Sequence, residues 1–214
     1  MIRIHLVDDH DLFRAGVRSI LQQQEGLLVL GEYANGEDAV QAVRNDPPDL
    51  VLMDVNMPGM GGIEATRKIL KIAPDVKVIA VTVLSEDPFP NQLLDAGARG
   101  YISKGCGSDE MLEAIRMVMH GQHYISGDVA QKLTLANFRK GGESSPLSTL
   151  TAREMQIMMM ILQGQRNQQI SDALFLSPKT VSTYRHRLYE KLDVCNDVEL
   201  THFGIRHGLV DSTQ

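Results

Sequence analysis

The chain has 214 residues, of which 43% are hydrophobic and 22% are charged, and this ordinary globular composition argues against a disordered, collagen-like or coiled-coil protein. No apolar run approaches the roughly 18 residues that a membrane span requires, and the N-terminal apolar run meets Asp8 and Asp9 too early for a signal peptide. The two cysteines stand far apart and outside any metal-like spacing, which favours a reduced cytoplasmic compartment.

Negative charge is concentrated in the first half of the chain. Residues 1–120 contain 11 Lys and Arg against 18 Asp and Glu, whereas residues 121–214 contain 10 against 9. The acidic half is unsuited to nucleic acid but suited to a bound cation. Any nucleic-acid site in the nearly neutral half must rest on a local basic cluster.

Short aliphatic runs alternate with helical patterns through residues 1–120. The runs at residues 50–53 and 78–81 are apolar on both faces, as in strands that helices cover on both sides. The helical spacing that follows the first run is carried by Phe13, Val17, Ile20 and Leu21. The predicted strands are Ile2–Val7, Leu27–Tyr33, Leu50–Met53, Lys77–Thr82 and Gly100–Ile102. This order predicts an α/β fold, a doubly wound parallel sheet of five strands.

The chain changes character after this region. A short helix is predicted over Gly127–Phe138, and the Gly, Ser and Pro residues between 139 and 146 indicate a linker. Every later pattern is helical. The predicted organisation is a first domain over residues 1–120, a linker over 121–147 and an all-α domain over 148–214.

Polar residues stand at or just after the ends of four predicted strands, at Asp8 and Asp9, Asp54, Thr82 and Lys104. In an open parallel sheet, functional groups collect at the carboxyl ends of the strands. Three carboxylates in one crevice would repel one another unless a cation neutralised them, and Mg²⁺ prefers such oxygen ligands. We therefore predict a magnesium site, with Lys104 and Thr82 beside it to receive an anion.

The segments around this cluster resemble the receiver domain of two-component response regulators. The matching segments are Val7–Asp9, Asp54–Gly59, Val81–Thr82 and Gly100–Lys104. The resemblance covers residues 1 to about 120, and it implies that Asp54 accepts a phosphoryl group from a sensor histidine kinase. It also implies that Mg²⁺ is bound by Asp9, Asp54 and the backbone carbonyl of Asn56, with Asp8 acting mainly through water.

The same resemblance implies roles for the remaining residues. Lys104 would pair with the phosphoryl oxygens, and Thr82 and Tyr101 would form the switch pair. Val83 departs from the family, which usually has Ala, Gly or Ser at this position. Its β-branched side chain is expected to narrow the approach to Asp54 and to alter the rates of phosphotransfer and hydrolysis.

Three helices with tight connections are predicted in the last domain. Thr151 and Glu154 form a capping box before a helix with the apolar stripe Ala152, Met155, Met159 and Leu162. A second helix spans Asn167–Leu174, and a third, capped by Ser177, runs from Pro178 through Leu192. This outline is typical of a helix-turn-helix module.

The third helix carries a basic outer face. Its buried stripe is predicted at Val181, Tyr184, Leu188 and Leu192. The residues predicted to contact DNA are Lys179, Thr180, Ser182, Thr183, Arg185, His186 and Arg187. Side chains in the first half of the helix would read base edges, whereas the two arginines would hold phosphates.

The run from Leu150 to Val210 resembles the effector domain of the NarL/FixJ (LuxR-type) regulators. The matching residues are Leu150–Glu154, Gly164, Asn167, Ile170, Ser177, Thr180, Val181 and Lys191–Val194. Within that family, Glu86–Pro90 and Ser177–Val210 look most like the GacA/UvrY branch. This likeness implies a membrane-bound hybrid sensor as the kinase partner and promoters of small regulatory RNAs as the targets. Departures from the family pattern fall at Ser182, Tyr184 and Gln168–Gln169.

The preferred interpretation is a DNA-binding transcription regulator that is not an enzyme beyond Mg²⁺-dependent self-phosphorylation and autodephosphorylation. One alternative is an α/β phosphatase with Asp54 as nucleophile, although that class usually has Asp where this chain has Asn56. The other is a phosphorylation-switched module that binds protein rather than DNA. A homodimer is expected on phosphorylation, formed by the helix over Val198–His207 through Leu200, Phe203 and Ile205.

Overall fold

The structure of this protein, a computed structural model, describes residues 1–82, 89–127, 129–130, 146–207 and 209–210. The described residues form two units, one within residues 1–130 and the other within residues 146–210. Val83, residues 86–88 of the branch motif, and most of the predicted helix and linker over residues 127–146 lie outside the described part.

Six strands build the first unit: β1 (Ile2–Val7), β2 (Leu27–Tyr33), β3 (Leu50–Asp54), β4 (Lys77–Thr82), β5 (Gly100–Ser103) and β6 (Tyr124–Ile125). They form one parallel sheet in the order β2-β1-β3-β4-β5-β6. The first five strands match the predicted strands to within one residue at each end. The prediction of a doubly wound parallel sheet is therefore confirmed.

The sixth strand is a difference from the predicted five. β6 pairs in parallel with β5, and its ends are fixed by hydrogen bonds from Tyr124 N to Arg99 O and from Ser126 N to Tyr101 O, each 3.0 Å long. A strand of two residues is too short to show an alternating pattern in the sequence. The sheet consequently continues into the region that was predicted to be a linker.

Five helices accompany the sheet: α1 (Asp11–Gln22), α2 (Gly36–Asn45), α3 (Gly62–Ile72), α4 (Phe89–Asp95) and α5 (Ser108–Met119). Alternate strand residues face opposite sides, as the period of two requires. Leu50 and Leu52 of β3 belong to the core with α1 and α5, whereas Val51 and Met53 belong to the core with α2 and α3. Burial on both faces explains why the central strands are continuously apolar.

The second unit contains a 3₁₀ turn (Pro146–Thr149) and the helices α6 (Ala152–Leu162), α7 (Asn167–Leu174), α8 (Pro178–Leu192) and α9 (Asp197–Arg206). The predicted caps are present. Thr151 and Glu154 form the capping box of α6, and Ser177 Oγ accepts a hydrogen bond from Thr180 N at 3.1 Å at the start of α8. The bounds of α7 and α8 equal those expected from the sequence.

The buried side of α6 is broader than the predicted stripe. Its buried apolar side chains are Met155, Ile157, Met158 and Ile161, and Met159 and Leu162 are only half-buried. The helix packs against both α8 and α9, so two faces rather than one enter the core. A single helical stripe underestimates burial when a helix has two partners.

Candidate functional site

Four neighbouring strands bring the predicted site residues to one edge of the first unit. β1, β3, β4 and β5 lie side by side and run in the same direction. Their register pairs Val7 with Met53, Asp54 with Val81, and Thr82 with Ser103. The carboxyl ends of these strands are therefore level, and Asp8 and Lys104 follow directly after two of them.

Lys104 joins two of the predicted carboxylates. Its Nζ atom lies 2.6 Å from Asp8 Oδ2 and 2.9 Å from Asp54 Oδ2. The three side chains are 10%, 4% and 3% exposed, respectively, so the contacts are shielded from water. The backbone of Lys104 donates to Thr82 O at 2.7 Å, and the ammonium lies 5.0 Å from the ring centre of Phe13. These contacts fix the cation between the two carboxylates.

Asp9 and His10 complete the cluster on its more open side. Ligand atoms of Asp8, Asp9, His10 and Asp54 all lie within 4.8 Å of one another. His10 was not anticipated as a site residue: its backbone N donates to Asp8 Oδ1 at 2.8 Å, and its Nδ1 atom lies 2.9 Å from Asp9 Oδ1. The sequence offered no signal for this arrangement, because it follows from how the chain bends between β1 and α1.

The electrostatics of the site follow from this crowding. Burial raises the pKa of Asp54 to about 6, with a further increase from the Asp8 carboxylate, while Lys104 and the N–H of Asn56 oppose the change. Burial alone would lower the pKa of Lys104, but its hydrogen bonds to Asp8 and Asp54 raise it above the ordinary value. One lysine cation thus faces several carboxylates, and the site favours additional positive charge.

The donor set fits a hard divalent cation. Carboxylate oxygens of Asp8, Asp9 and Asp54 converge within the 4.8 Å limit of the cluster, and oxygen ligands of this kind suit Mg²⁺. Asn56 lies two residues beyond Asp54, and its backbone N donates to Asp54 Oδ1 at 3.2 Å. The acidic pocket expected from the sequence is therefore formed by the fold.

Glycines and a carboxylate support the loop behind Asp54. A Cβ atom at Gly62 would lie 2.0 Å from the carbonyl oxygen of Asp54, so α3 can begin there only with glycine. Gly59 has a φ of +71°, and Glu37 Oε1 accepts a hydrogen bond from Met60 N at 2.8 Å. The supporting roles of Gly62 and Glu37 were not predicted from the sequence, although Pro58 followed by Gly59 is a turn signal.

The predicted switch residues are both buried. Thr82 at the end of β4 and Tyr101 in β5 are each 1% exposed. Tyr101 is paired with Ala80 across the two strands, and Thr82 with Ser103. Val83 follows Thr82 but lies outside the described residues.

The DNA-contact residues predicted on α8 differ in exposure. Lys179, Ser182, Thr183, His186 and Arg187 are exposed, whereas Thr180 and Arg185 are half-buried. The buried stripe of α8 contains Val181, Leu188 and Leu192, with Tyr184 half-buried. The predicted outward face is thus largely present, with Arg185 at its margin.

Some of these side chains are held within their own unit. Ser182 Oγ accepts a hydrogen bond from Asn167 Nδ2 at 3.1 Å, and Thr183 Oγ1 donates to Lys179 O at 3.0 Å. The guanidinium of Arg185 contacts Asn167, Tyr189 and Asp197. The arginine predicted to hold a phosphate is therefore engaged inside the domain.

The helix predicted for dimerisation is observed as α9. Leu200 is fully buried and Phe203 is 5% exposed, whereas Val198 is 65% and Ile205 38% exposed. Two of the three apolar residues assigned to a dimer contact thus pack within the unit. Val198 and Ile205 remain as exposed apolar side chains on this helix.

Two family profiles match the chain. The profile of the response regulator receiver domain covers residues 4–116, and that of bacterial regulatory proteins of the luxR family covers residues 148–203. Over 213 residues, the chain is 53% identical to the response regulator GacA of Pseudomonas viridiflava, with 100% of both chains covered. The chain is a response regulator of the LuxR family.

Two further proteins support this assignment. The response regulator UvrY of Escherichia coli strain K12 is 50% identical over 212 residues, covering 99% of this chain and 97% of the relative. The crystal structure of a LuxR-family two-component response regulator from Aurantimonas sp. SI85-9A1 is 34% identical, with a TM-score of 0.62, and covers 64% of this chain and 99% of that one. The likeness to the GacA and UvrY regulators is thereby confirmed.

These matches favour one of the three interpretations. A receiver domain joined to a LuxR-type DNA-binding domain is a transcription regulator of a two-component system, not a classical enzyme. The phosphatase and the protein-binding module without DNA binding find no support. Within the described part of the chain, every helix is too short or too polar to cross a lipid bilayer.

Proposed function

We propose that Asp54 of this response regulator accepts a phosphoryl group from a sensor histidine kinase. The observation that carries the proposal is the contact of Lys104 Nζ with both Asp54 and Asp8 at the carboxyl edge of the sheet. A buried carboxylate with a fixed cation beside it has the arrangement that phosphoryl transfer requires, since that reaction depends on positioning and charge neutralisation.

In the proposed reaction, a carboxylate oxygen of Asp54 attacks the phosphorus of the kinase phosphohistidine. A P–O bond to Asp54 forms as the N–P bond to the kinase histidine breaks, which leaves an acyl phosphate on Asp54. Lys104 moves its ion pair from Asp54 to a phosphoryl oxygen. Asp8, Asp9, Asp54 and the backbone carbonyl of Asn56 would hold Mg²⁺, which supplies positive charge to the phosphoryl oxygens when bound.

The proposed output is a change at Thr82 and Tyr101. The acyl phosphate adds negative charge and strong acceptors next to Thr82, whose hydroxyl is a donor. Movement of Thr82 toward these oxygens would change the space available to Tyr101 in the neighbouring strand. Both side chains are 1% exposed, so a shift of either one must displace packed neighbours.

The DNA-binding domain would respond by forming a homodimer on two half-sites about one helical turn apart. We propose that the exposed residues Lys179, Ser182, Thr183 and His186 contact base edges, with Thr180 beside them, and that Arg187 contacts phosphate. The likeness to GacA and UvrY leads us to propose promoters of small regulatory RNAs as targets. Because bacterial DNA lies in the cytoplasm, we propose that the protein acts there.

Phosphorylation is tested with acetyl phosphate as the phosphodonor. We expect Mg²⁺-dependent, acid-labile incorporation of one phosphate by the wild-type chain, none by Asp54→Asn, and a higher Mg²⁺ requirement for Asp9→Asn. Asp75→Asn is the matched control, because Asp75 is an exposed carboxylate before β4, at the opposite end of the strand. Substantial labelling of Asp54→Asn would refute the assignment.

DNA binding is tested by selecting duplexes from a random pool with the phosphorylated and unphosphorylated chain. We expect phosphorylation to enrich a two-fold symmetric site. Lys179→Ala and Thr183→Ala should then relax preference at single positions of that site, whereas Arg187→Ala should lower the salt slope by about one without changing preference. Enrichment of no sequence in either state would refute the proposed output.

A further inference from the structure

The exposed face of α8 that carries Lys179, Ser182, Thr183, His186 and Arg187 is called the reading face here. A polar network connects three helices beneath it. The guanidinium of Arg185 on α8 donates to Asn167 Oδ1 on α7 and to Asp197 Oδ2 on α9, and its Nε lies 3.4 Å from Tyr189 Oη. Tyr189 donates its hydroxyl proton to the other oxygen of Asp197. Both carboxylate oxygens of Asp197 are therefore occupied by side chains of α8.

Asn167 extends this network to the reading face itself. Its side-chain oxygen accepts from Arg185, and its side-chain nitrogen donates to Ser182 Oγ at 3.1 Å. Asn167 is the first residue of α7, so the start of that helix is tied to α8 at two points one turn apart. The network consequently fixes both the position of α8 relative to α7 and the orientation of Ser182.

The burial of Arg185 fits an internal role better than a contact with DNA. Its side chain is 15% exposed, whereas Lys179 and Arg187 on the same helix are exposed. Burial alone would lower the pKa of Arg185, yet its hydrogen bonds to Asp197 and Tyr189 raise it. The same two partners hold the pKa of Asp197 below its ordinary value, although burial acts in the opposite direction. Each charge is therefore stabilised by the other.

We infer that Arg185 is a positioning residue for DNA recognition: together with Asn167, Tyr189 and Asp197 it sets the angle of α8 and couples the reading helix to α9, and it does not contact phosphate. This deepens the proposed function and rests on the DNA binding proposed above. It replaces the phosphate contact predicted for Arg185 from the sequence. The structural reason is that a phosphate beside this guanidinium would compete with Asp197.

The two roles predict opposite effects when Asp197 is removed. If Arg185 held a phosphate, Asp197→Ala would free the guanidinium, remove a negative charge and strengthen DNA binding. If Arg185 positions α8, Asp197→Ala weakens binding to the selected duplex by about tenfold and reduces discrimination against a scrambled duplex of equal length. The salt slope stays that of the wild-type chain, because no phosphate contact is lost.

The experiment measures binding of the full chain to both duplexes across a salt series. Arg185→Ala should reproduce the effect of Asp197→Ala, and the double variant should be no weaker than either single variant, because the residues act as one network. Arg185→Lys keeps the charge but replaces the planar fork of the guanidinium with one compact ammonium. That group does not span Asn167, Tyr189 and Asp197 as the guanidinium does, so the variant should resemble Arg185→Ala. Glu190→Ala is the matched control for charge, because Glu190 is on α8 and its side chain is 66% exposed. This variant should bind the selected duplex at least as tightly as the wild-type chain does.

Thermal unfolding of each variant guards against loss of the fold. If Asp197→Ala does not fold, Tyr189→Phe removes a single hydroxyl and should weaken binding by about threefold in the same direction. Stronger binding by Asp197→Ala or Tyr189→Phe, or a salt slope lowered by about one in Arg185→Ala, would overturn the inference. Failure of the wild-type chain to bind the selected duplex would instead refute the proposed function.

Discussion

At the carboxyl edge of the receiver sheet, Asp8, Asp54 and Lys104 are at most 10% exposed, and Lys104 contacts both carboxylates directly. On α8 of the DNA-binding domain, the side chains of Lys179, His186 and Arg187 are exposed to water. The first arrangement suits a reaction, because a buried charge acts at full strength on its neighbours. The second suits a ligand that brings its own charges and displaces water and ions as it binds.

Buried and exposed charges should differ in how much their removal changes the free energy of unfolding. Removing one member of a buried charge cluster leaves its partners without compensation, whereas removing an exposed charge leaves nothing unsatisfied. Substitutions at the acidic site should therefore change stability strongly, and substitutions on the reading face should change stability little while changing DNA binding.

Lys104→Met should produce the largest effect on stability. It leaves the buried carboxylates of Asp8 and Asp54 facing each other, and we expect the receiver domain to lose about 3 kcal/mol of unfolding free energy in buffer with EDTA. Urea unfolding of the full chain measures the change, and added Mg²⁺ should recover part of the loss. Arg187→Met on the reading face is the matched control, with an expected change below about 0.5 kcal/mol. A loss for Lys104→Met as small as that of the control would contradict the distinction between buried and exposed charges.

Glu154→Gln should show that a partly buried charge pair stabilises the DNA-binding domain. Glu154 is 3% exposed and accepts hydrogen bonds from Thr151 N at 2.8 Å and from Lys191 Nζ at 2.6 Å. We expect a loss of about 1–2 kcal/mol, reduced from the value for a fully buried pair because the Lys191 side chain is 34% exposed. Glu64→Gln is the control, since its pair with Lys68 is close to half exposed on both sides.

The pH dependence of this pair has a definite sign. Burial would raise the pKa of Glu154, but the hydrogen bonds from Lys191 and Thr151 lower it below the ordinary value of 4.5. The pair therefore contributes stability above that pH, and the contribution is lost as the pH falls through the folded pKa. Unfolding curves of wild type and Glu154→Gln should converge in acid. A constant difference between them down to the lowest measurable pH would contradict this account.

Much of the fold was predictable because the signals were local. Five strands and the bounds of α7 and α8 followed from apolar runs and caps such as Ser177 with Pro178. β6 was not predictable, since two residues carry no periodicity, and neither was the second buried face of α6, which depends on two partner helices. Features that depend on a distant partner leave little trace in one segment of sequence.

The candidate site shows the same division. Asp8, Asp54, Thr82 and Lys104 could be placed together because parallel strands end at one edge. The contact of His10 with Asp9 could not, because it depends on the path of the loop. The engagement of Arg185 was also missed, since helical spacing shows which way a side chain points but not that Asp197 of another helix lies beside it.

His5→Leu should stabilise the receiver domain by about 1 kcal/mol at pH 7.5. His5 is 3% exposed in β1, and its Nδ1 atom has no hydrogen-bond partner among the described residues, which carries a cost. Burial lowers the pKa of His5 below 6.5, with Asp46 opposing and Arg3 assisting the change. Wild-type stability should thus be complete above pH 6.5 and decline as the pH falls toward the folded pKa.

Calorimetry of the full chain between pH 5 and 8 tests this prediction. The receiver transition of His5→Leu should lose the part of the pH dependence that His5 causes. His186→Leu is the control, because His186 is exposed on α8 and its removal should leave the receiver transition unchanged. Equal pH profiles for wild type and His5→Leu would show that the buried imidazole does not titrate.

Phe175→Gly should give a smaller effect than His5→Leu, a gain of about 0.5–1 kcal/mol in the DNA-binding domain. Phe175 ends α7 with a φ of 52°, in the left-handed region, and its side chain is 83% exposed. The aromatic ring thus contributes little packing while its Cβ strains the backbone. Glycine removes that strain, although its greater freedom in the unfolded chain offsets part of the gain.

Asp193→Gly separates backbone strain from other causes. Asp193 ends α8 with a φ of 53°, nearly that of Phe175, but aspartate tolerates this conformation better than an aromatic residue does. We therefore expect a smaller gain from Asp193→Gly than from Phe175→Gly in thermal unfolding. The reverse order would mean that Phe175 stabilises the turn through its side chain.

In either case the salt dependence of DNA binding by Phe175→Gly should equal that of the wild-type chain, because an exposed aromatic ring at this turn holds no phosphate.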